Sequence, residues 1–211
     1  MKKNVLLILF LYLVAIVVTI LFWNKIPDQI PIHWNIQGQI DNYGPKWTLL
    51  LLLHLPIAIL AIMTIIPKID PQKSNYDKHA RSYNIIKVAV PYLFYLIYAV
   101  IVIYSIGIKI DVFNIILVCV GILCIVMGNQ LPRFRHNYFV GIRTPWTLAN
   151  QDVWRKTHRI GGYCLTVSGA IIIVISFMPS ILAKTIGVCI LLVGALAPVV
   201  FSYFYFRKQL S

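Results

Sequence analysis

The chain has 211 residues, 60% of them hydrophobic and 12% charged, with a mean hydropathy of +0.82. A water-soluble domain carries about 45–50% apolar and about 25% charged residues, so an ordinary soluble fold is excluded and the apolar excess must face lipid. The charge is lopsided, 19 Lys and Arg against 6 acids that are all Asp, for a net +13, which suits either nucleic acid or an anionic membrane until the cations are placed.

A helix rises about 1.5 Å per residue and the hydrocarbon core is about 30 Å thick, so a spanning helix needs roughly 20 mostly apolar residues. Six segments meet that length. The first, Val5 to Phe22, follows Lys2 and Lys3. Its apolar run is longer than that of a secretion signal and lacks a small-x-small cleavage site, so it reads as a retained anchor. An outer loop, Trp23 to Lys46, leads to the second span, Trp47 to Ile66, which places His54 deep beside Pro56. Intramembrane ionisable groups mark ion or proton paths, but the plainer reading of His54 is a neutral ring hydrogen-bonded within the bundle. After a linker, residues 67–84, come the third span, Ile85 to Gly107, and the fourth, Val112 to Leu131. Only Ile108 to Asp111 separate them, so they form an antiparallel hairpin. An inner loop, residues 132–160, precedes the fifth span, Gly161 to Met178, and the sixth, Lys184 to Phe206, which pair around Pro179 and Ser180. In the fifth, Gly162, Thr166 and Ala170 recur every four residues as a small-residue packing face. Cys119, Cys124, Cys164 and Cys189 all fall in spans without a C-x-x-C pair and read as small polarisable hydrophobes.

Cytoplasmic loops near spans carry the excess of Lys and Arg. With the N-terminus inside, the outer side keeps only Lys25, Lys46, Lys109 and Lys184, leaving fifteen of the nineteen cations, Lys2 and Lys3 among them, on the inner side. The +13 is then orientation and contact with anionic inner-leaflet lipid, and direct nucleic-acid binding is not needed to explain it. The expected fold is an all-α integral membrane protein of six transmembrane helices with both termini cytoplasmic, one ordered extracellular loop (23–46) and one amphipathic cytoplasmic loop (132–160). Residues 1–66 form an N-terminal module, 67–84 a cytoplasmic linker and 85–211 a four-helix region.

The outer loop reads PDQIPIHWNIQGQIDNYGPK, with Lys25 and Lys46 balancing Asp28 and Asp41. Pro27 and Pro31 favour extended entry, and Gly38, Tyr43-Gly44 and Asp41-Asn42 favour turns, so a compact turn-rich cap with a short extended piece at Ile30–Trp34 is expected. His33 near Asp28 and Asp41 lacks a metal-ligand spacing. In the inner loop Thr144-Pro145 reads as an N-cap with proline at the first helical position. Trp146, Ala149 and Val153 follow at helical spacing, then Arg155, Lys156 and Arg159, as in an amphipathic segment lying in the inner interface. Tyr203 to Phe206 before Arg207 and Lys208 form an aromatic belt at the same face. Neither loop holds a catalytic grouping, a glycine-rich phosphate loop or H-E-x-x-H, and no cofactor or metal is expected.

The inner string Gly128-Asn129, Leu131-Pro132, Asn137, then Gly141-Ile142-Arg143-Thr144-Pro145-Trp146-Thr147-Leu148, with Trp154 and Thr157-His158-Arg159, closely resembles the signature of the SdpI family of bacterial immunity proteins. The outer string Pro31-Ile32-His33-Trp34-Asn35, with Gly38, Asp41 and Lys46, resembles the small N-terminal module often fused to it. The resemblance implies a multi-pass plasma-membrane protein that protects its cell against a secreted membrane-active peptide. It also implies capture of a small helix-turn-helix repressor at the membrane when toxin is engaged. On that resemblance, toxin recognition falls to Pro31, His33, Trp34, Asn35, Gly38 and Asp41. Repressor docking falls to Asn129, Pro132, Asn137, Gly141, Arg143, Thr144, Pro145, Trp146, Thr147, Trp154, His158 and Arg159.

Two other classes compete. A transporter of an amphipathic compound needs a continuous polar path, for which His54, Asn129 and Gln130 are the lining the sequence offers. A lipid-directed enzyme would have to use His136 or His158 with Asp152.

Overall fold

The computed structural model describes residues 2–209. Its elements are helix α1 (Lys2–Phe22), strands β1 (Gln29–Trp34) and β2 (Ile40–Pro45), helices α2 (Thr48–Ile69), α3 (Ser74–Lys78), α4 (Ala80–Ser105) and α5 (Val112–Gln130), a 3-10 turn (Leu131–Arg133), and helices α6 (Pro145–Ala149), α7 (Gln151–Ser176) and α8 (Ile181–Arg207). Six of them are long and apolar enough to cross a membrane, at the six predicted places. The side chains of Lys2 and Lys3, which enter the orientation argument, lie outside the described residues. The long helices alternate direction. The start of α1, the end of α8 and the loop before α7 therefore share one end of the bundle, the cap end, and the β-hairpin sits at the other.

The six helices pack as two groups of three. Helix α4 lies chiefly on α2 and is flanked by α1 around Ile8, Ala15, Leu49, Leu53, Leu60, Tyr95 and Tyr98. Tyr98 reaches across to donate to the Ala15 carbonyl at 3.0 Å, beside the Thr19 hydroxyl at 2.6 Å. Helix α7 is the axis of the second group, against α5 on one side and α8 on the other. Between long helices, the groups meet mainly along α4 and α5.

Glycines set the α5–α7 approach. A Cβ at Gly162 would lie 2.7 Å from the Gly128 carbonyl oxygen, and one at Gly169 would lie 2.6 Å from that of Gly121. Backbone contact of this kind replaces the hydrophobic drive that lipid removes. The predicted small-residue face is therefore right at Gly162 and Thr166 and wrong at Ala170, which is exposed; Gly169, one residue earlier, takes the inward position.

Three further expectations change. The outer loop is a two-stranded antiparallel hairpin, not helical or simply turn-rich: the extended piece predicted at Ile30–Trp34 is β1, and the partner strand β2 runs through Asp41, Asn42, Tyr43 and Gly44. The fifth spanning helix begins at Gln151, ten residues before the predicted start. There is also no single interfacial helix through Trp146 and Val153. Asn150 is extended (φ −143°, ψ 123°), ending the five-residue α6 and capping α7 by accepting from the Asp152 and Val153 N–H groups. Thr144 caps α6 as predicted.

Candidate functional site

The cap, residues 131–150, has little regular structure and is held by side chains that satisfy its backbone. Asn137 is fully buried. Its Oδ1 accepts from the N–H groups of Phe139 (3.0 Å) and Val140 (2.7 Å), and its Nδ2 donates to the carbonyls of Arg135 (2.9 Å) and Val140 (3.0 Å). An amide has two donors and two acceptor lone pairs, so its whole capacity is used.

Trp154, in the first turn of α7, donates from Nε1 to the Phe134 carbonyl at 2.9 Å and stacks on His158 at 3.9 Å between centroids. His158 Nδ1 lies 2.9 Å from the Trp154 carbonyl, and Nε2 lies 3.0 Å from the Ile142 N–H. A carbonyl only accepts and an N–H only donates, so the proton sits on Nδ1 and Nε2 is the acceptor. Gly141, at φ 115°, passes so close that a Cβ would overlap Nε2; glycine supplies both the conformation and the space. Thr144 and Thr147 cap α6 reciprocally, Thr147 taking the place usual for Glu or Gln, and the Thr144 hydroxyl meets that of Ser202 on α8 at 3.0 Å. Trp146 rests edge-on against Tyr203 of the aromatic belt at 5.2 Å.

The segment between α2 and α4 is fastened into this cap. Asp70 is buried; Oδ1 accepts from the Gln72 N–H (2.7 Å), and Oδ2 accepts from the Tyr76 hydroxyl (2.8 Å) and the Tyr138 N–H (3.0 Å). Burial and the neighbouring Asp70 charge push the Tyr76 hydroxyl pKa up. Asn75 donates to the His136 carbonyl at 2.8 Å, and His79 accepts from the Arg135 N–H at 3.3 Å while packing edge-on against Phe134. Sequence reasoning missed Asp70, Asn75, Tyr76 and His79. The available signal was Ile69-Asp70-Pro71, a helix stop with an Asp able to bond its own backbone two residues on.

Burial, reinforced by the charge of Arg135, holds the His79 imidazole below its ordinary pKa. Its contribution to folding is complete above the unfolded-state value of about 6.5 and is lost progressively as pH falls below it, because the unfolded chain then binds the proton more readily. Lowering pH from about 7.5 to about 5 is expected to increase hydrogen exchange across residues 131–140 after correction for the intrinsic rate, and His79→Asn, which keeps an acceptor without the titration, to flatten the response. Equal pH dependence in both proteins would contradict this account.

The twelve inner candidates divide by position. Asn137, Thr144, Thr147, Trp154 and His158 are buried and form the frame of the cap. Asn129, Pro132, Arg143, Pro145 and Arg159 are exposed, and Trp146 and Gly141 are partly so. Arg143 is steadied by donating to the Tyr138 carbonyl at 3.0 Å. The surface offered by the cap is thus basic with a half-buried Trp at its edge.

At the hairpin end, Asn35 and Gly38 shape the β-turn. The Asn35 Oδ1 accepts from the N–H groups of Gln37 and Gln39, and Gly38 has φ 78°. Pro31 is buried, while Trp34 is half-buried and edge-on to Tyr104 of α4 at 5.9 Å. His33 and Asp41 remain outward, 2.5 Å apart across the strands. Asp28 pairs with Lys46 at the hairpin base (2.8 Å), and that hydrogen bond and charge hold its carboxyl pKa below the usual range. His33, Asp28 and Asp41 therefore do not converge on one point. The hairpin tip lies over Phe113 at the start of α5. Beside it opens a cavity of about 710 Å³ lined by Asp111, Asn114, Val118, Phe177 and Lys184; the sequence marks Asp111 and Lys184 only as a loop boundary and an outer cation, not as site residues.

The competing constellations do not assemble. His54 is exposed on α2 and hydrogen-bonds Tyr12 of α1 at 2.8 Å, while Asn129 and Gln130 sit at the cap end of α5 and line different cavities. His136 Nε2 contacts the Leu148 carbonyl, His158 is enclosed, and Asp152 pairs with Arg155.

Comparison with known proteins places these features. Residues 133–205 match the SdpI/YfhL protein family, and residues 10–65 match a domain of unknown function, DUF1648. The chain is 26% identical over 208 residues to Immunity protein SdpI of Bacillus subtilis (strain 168), covering 99% of this chain and 98% of that protein. No solved structure matches. The first match takes in most of the cap with α6, α7 and nearly all of α8; the second takes in the hairpin with most of α1 and α2.

Proposed function

We propose that this multi-pass cell-membrane protein belongs to the SdpI family and is an immunity protein guarding its cell against a secreted membrane-active peptide. The observation that carries this reading is the similarity to an immunity protein along 99% of the chain, hairpin and cap included. In this reading the hairpin end faces outward and the cap inward, the orientation favoured by the bias of Lys and Arg. His33 and Asp41 on the hairpin, with the cavity beside its tip, form the outward surface on which a peptide is met. The inward surface for a helix-turn-helix repressor is the exposed edge with Arg143, Pro145, Trp146 and Arg159, while Asn137, Thr147, Trp154 and His158 hold that edge in shape.

The test is expression of the full chain in a sensitive cell exposed to a panel of membrane-active peptides. Survival above the empty-vector control is expected for at least one peptide, whereas unchanged killing by every peptide sinks the proposal. In a protected cell, Arg143→Ala with Trp146→Ala should leave survival intact and release the repressor from the membrane fraction. Repressor held equally by both proteins would remove the docking role of that edge.

A further inference from the structure

A groove of about 440 Å³ opens on the outer surface of the bundle where α5 and α7 emerge at the cap end. Its upper part is lined by Arg135, Arg155 and Arg159 and its lower part by Gly162, Tyr163 and Val167. Arg155, Arg159, Tyr163 and Val167 follow one another at four-residue intervals on α7, so they form one stripe that changes from cationic to apolar along about 18 Å of helix. Tyr163 is 63% and Val167 57% exposed, both in a membrane-spanning helix, so the lower half of the groove opens sideways into hydrocarbon. Its floor is backbone: a Cβ at Gly162 would lie 2.7 Å from the Gly128 carbonyl and 2.9 Å from the Pro132 ring.

The charges lining the groove are unbalanced. No acid lines it; Arg155 has Asp152 as a partner, but Arg135 and Arg159 have no acidic partner among the described residues. Guanidinium groups match the oxygens of a phosphodiester in a planar fork. A ligand that meets three cations at the membrane surface and an apolar channel directly below is itself anionic at one end and aliphatic at the other.

We infer that the α5–α7 groove is a binding site for one anionic phospholipid of the leaflet at the cap end, its phosphodiester held by Arg135, Arg155 and Arg159 and the upper part of an acyl chain lying along Gly162, Tyr163 and Val167. A soluble polyanion would use the arginines but not the apolar half. A zwitterionic lipid would fill the apolar half and offer the same phosphodiester, but its own ammonium cancels that charge and leaves the net charge of the arginines uncompensated. The site is independent of the immunity reading, since it rests on the groove alone.

Native mass spectrometry of the full chain released from micelles containing equal phosphatidylglycerol and phosphatidylcholine of identical chains tests it. The wild type should retain phosphatidylglycerol about tenfold over phosphatidylcholine, and Arg135→Gln with Arg159→Gln should lose most of that preference. Lys156→Gln with Arg207→Gln, which removes the same charge from the same end outside the groove, should keep it. Comparing two lipids within each protein keeps the result separate from any change in yield or stability. Equal retention of the two lipids by the wild type, equal loss in both double variants, or displacement of the lipid by millimolar glycerol 1-phosphate would each overturn the site.

Discussion

Asn137→Ala is expected to open the cap while leaving the six-helix bundle folded. Four hydrogen bonds end on this one side chain, and its removal strands two N–H groups and two carbonyls in a segment with little secondary structure to take them up. An unsatisfied buried polar group costs about 1–3 kcal/mol, and with water recovering part of that at the membrane surface the loss should still reach about 3 kcal/mol. Asn137→Asp should be nearly as damaging, because the oxygen replacing Nδ2 would face the Arg135 and Val140 carbonyls. Hydrogen exchange in micelles checks this directly. Protection should fall across residues 134–149 in both variants and persist in α5 and α7 around Gly121 and Gly169, where the close helix approach does not involve the cap. Unchanged protection across the cap would refute the assignment of Asn137 as its organiser.

The second large effect is expected at Asp70. Its Oδ2 alone receives the Tyr76 hydroxyl and the Tyr138 N–H, and Oδ1 receives the Gln72 N–H. Asparagine has one oxygen, so either orientation sets an NH₂ group against at least one donor. Hydrogen bonds to a charged group contribute about 1.5–3 kcal/mol, so Asp70→Asn should weaken the attachment of residues 70–79 to the cap by about 2–4 kcal/mol. Tyr76→Phe, which removes one donor and leaves the other two, should cost about 1.5 kcal/mol, the low end of that range. Limited trypsin digestion reads the difference through Lys73 and Lys78, which flank and end α3 within the attached segment. Cleavage there should accelerate strongly in Asp70→Asn and slightly in Tyr76→Phe, and equal rates in all three proteins would show that Asp70 does not hold the segment.

The six spans were legible in the sequence because in lipid each helix is written locally, as an unbroken apolar run. The Thr144-Pro145 cap was legible for the same reason. The second strand was hidden because Asp41, Asn42 and Gly44 are turn formers by residue type, and Tyr43 alone among them favours a strand. They become a strand only through pairing with β1, where Gly44 leaves room for the Ile32 side chain. The inner motif was recognised as a pattern of residue types, but pattern does not separate frame from surface. Asn137, Thr147 and His158 look like an exposed polar loop until their backbone partners are known. Asp70 was illegible because one of its partners, Tyr138, lies 68 residues away in sequence. Nothing local distinguishes it from an ordinary helix-ending aspartate.

The division into two groups of three helices bears on how a disturbance crosses the molecule. The long helices of the two groups share one principal seam, α4 against α5, and the groups also touch at both ends, through the hairpin tip over Phe113 and through Asp70 on Tyr138. Two blocks joined along one seam and clasped at opposite ends behave mechanically as a pair of tongs. Because packed helices tilt as units and do not deform continuously, wedging the tips apart at the hairpin is expected to rotate the blocks about the seam and to load the Asp70 clasp together with the Tyr76, Tyr83 and Phe134 packing beside it. The same geometry makes the seam the place where stiffness is set, so a bulkier side chain there would change how faithfully one end follows the other without touching either end.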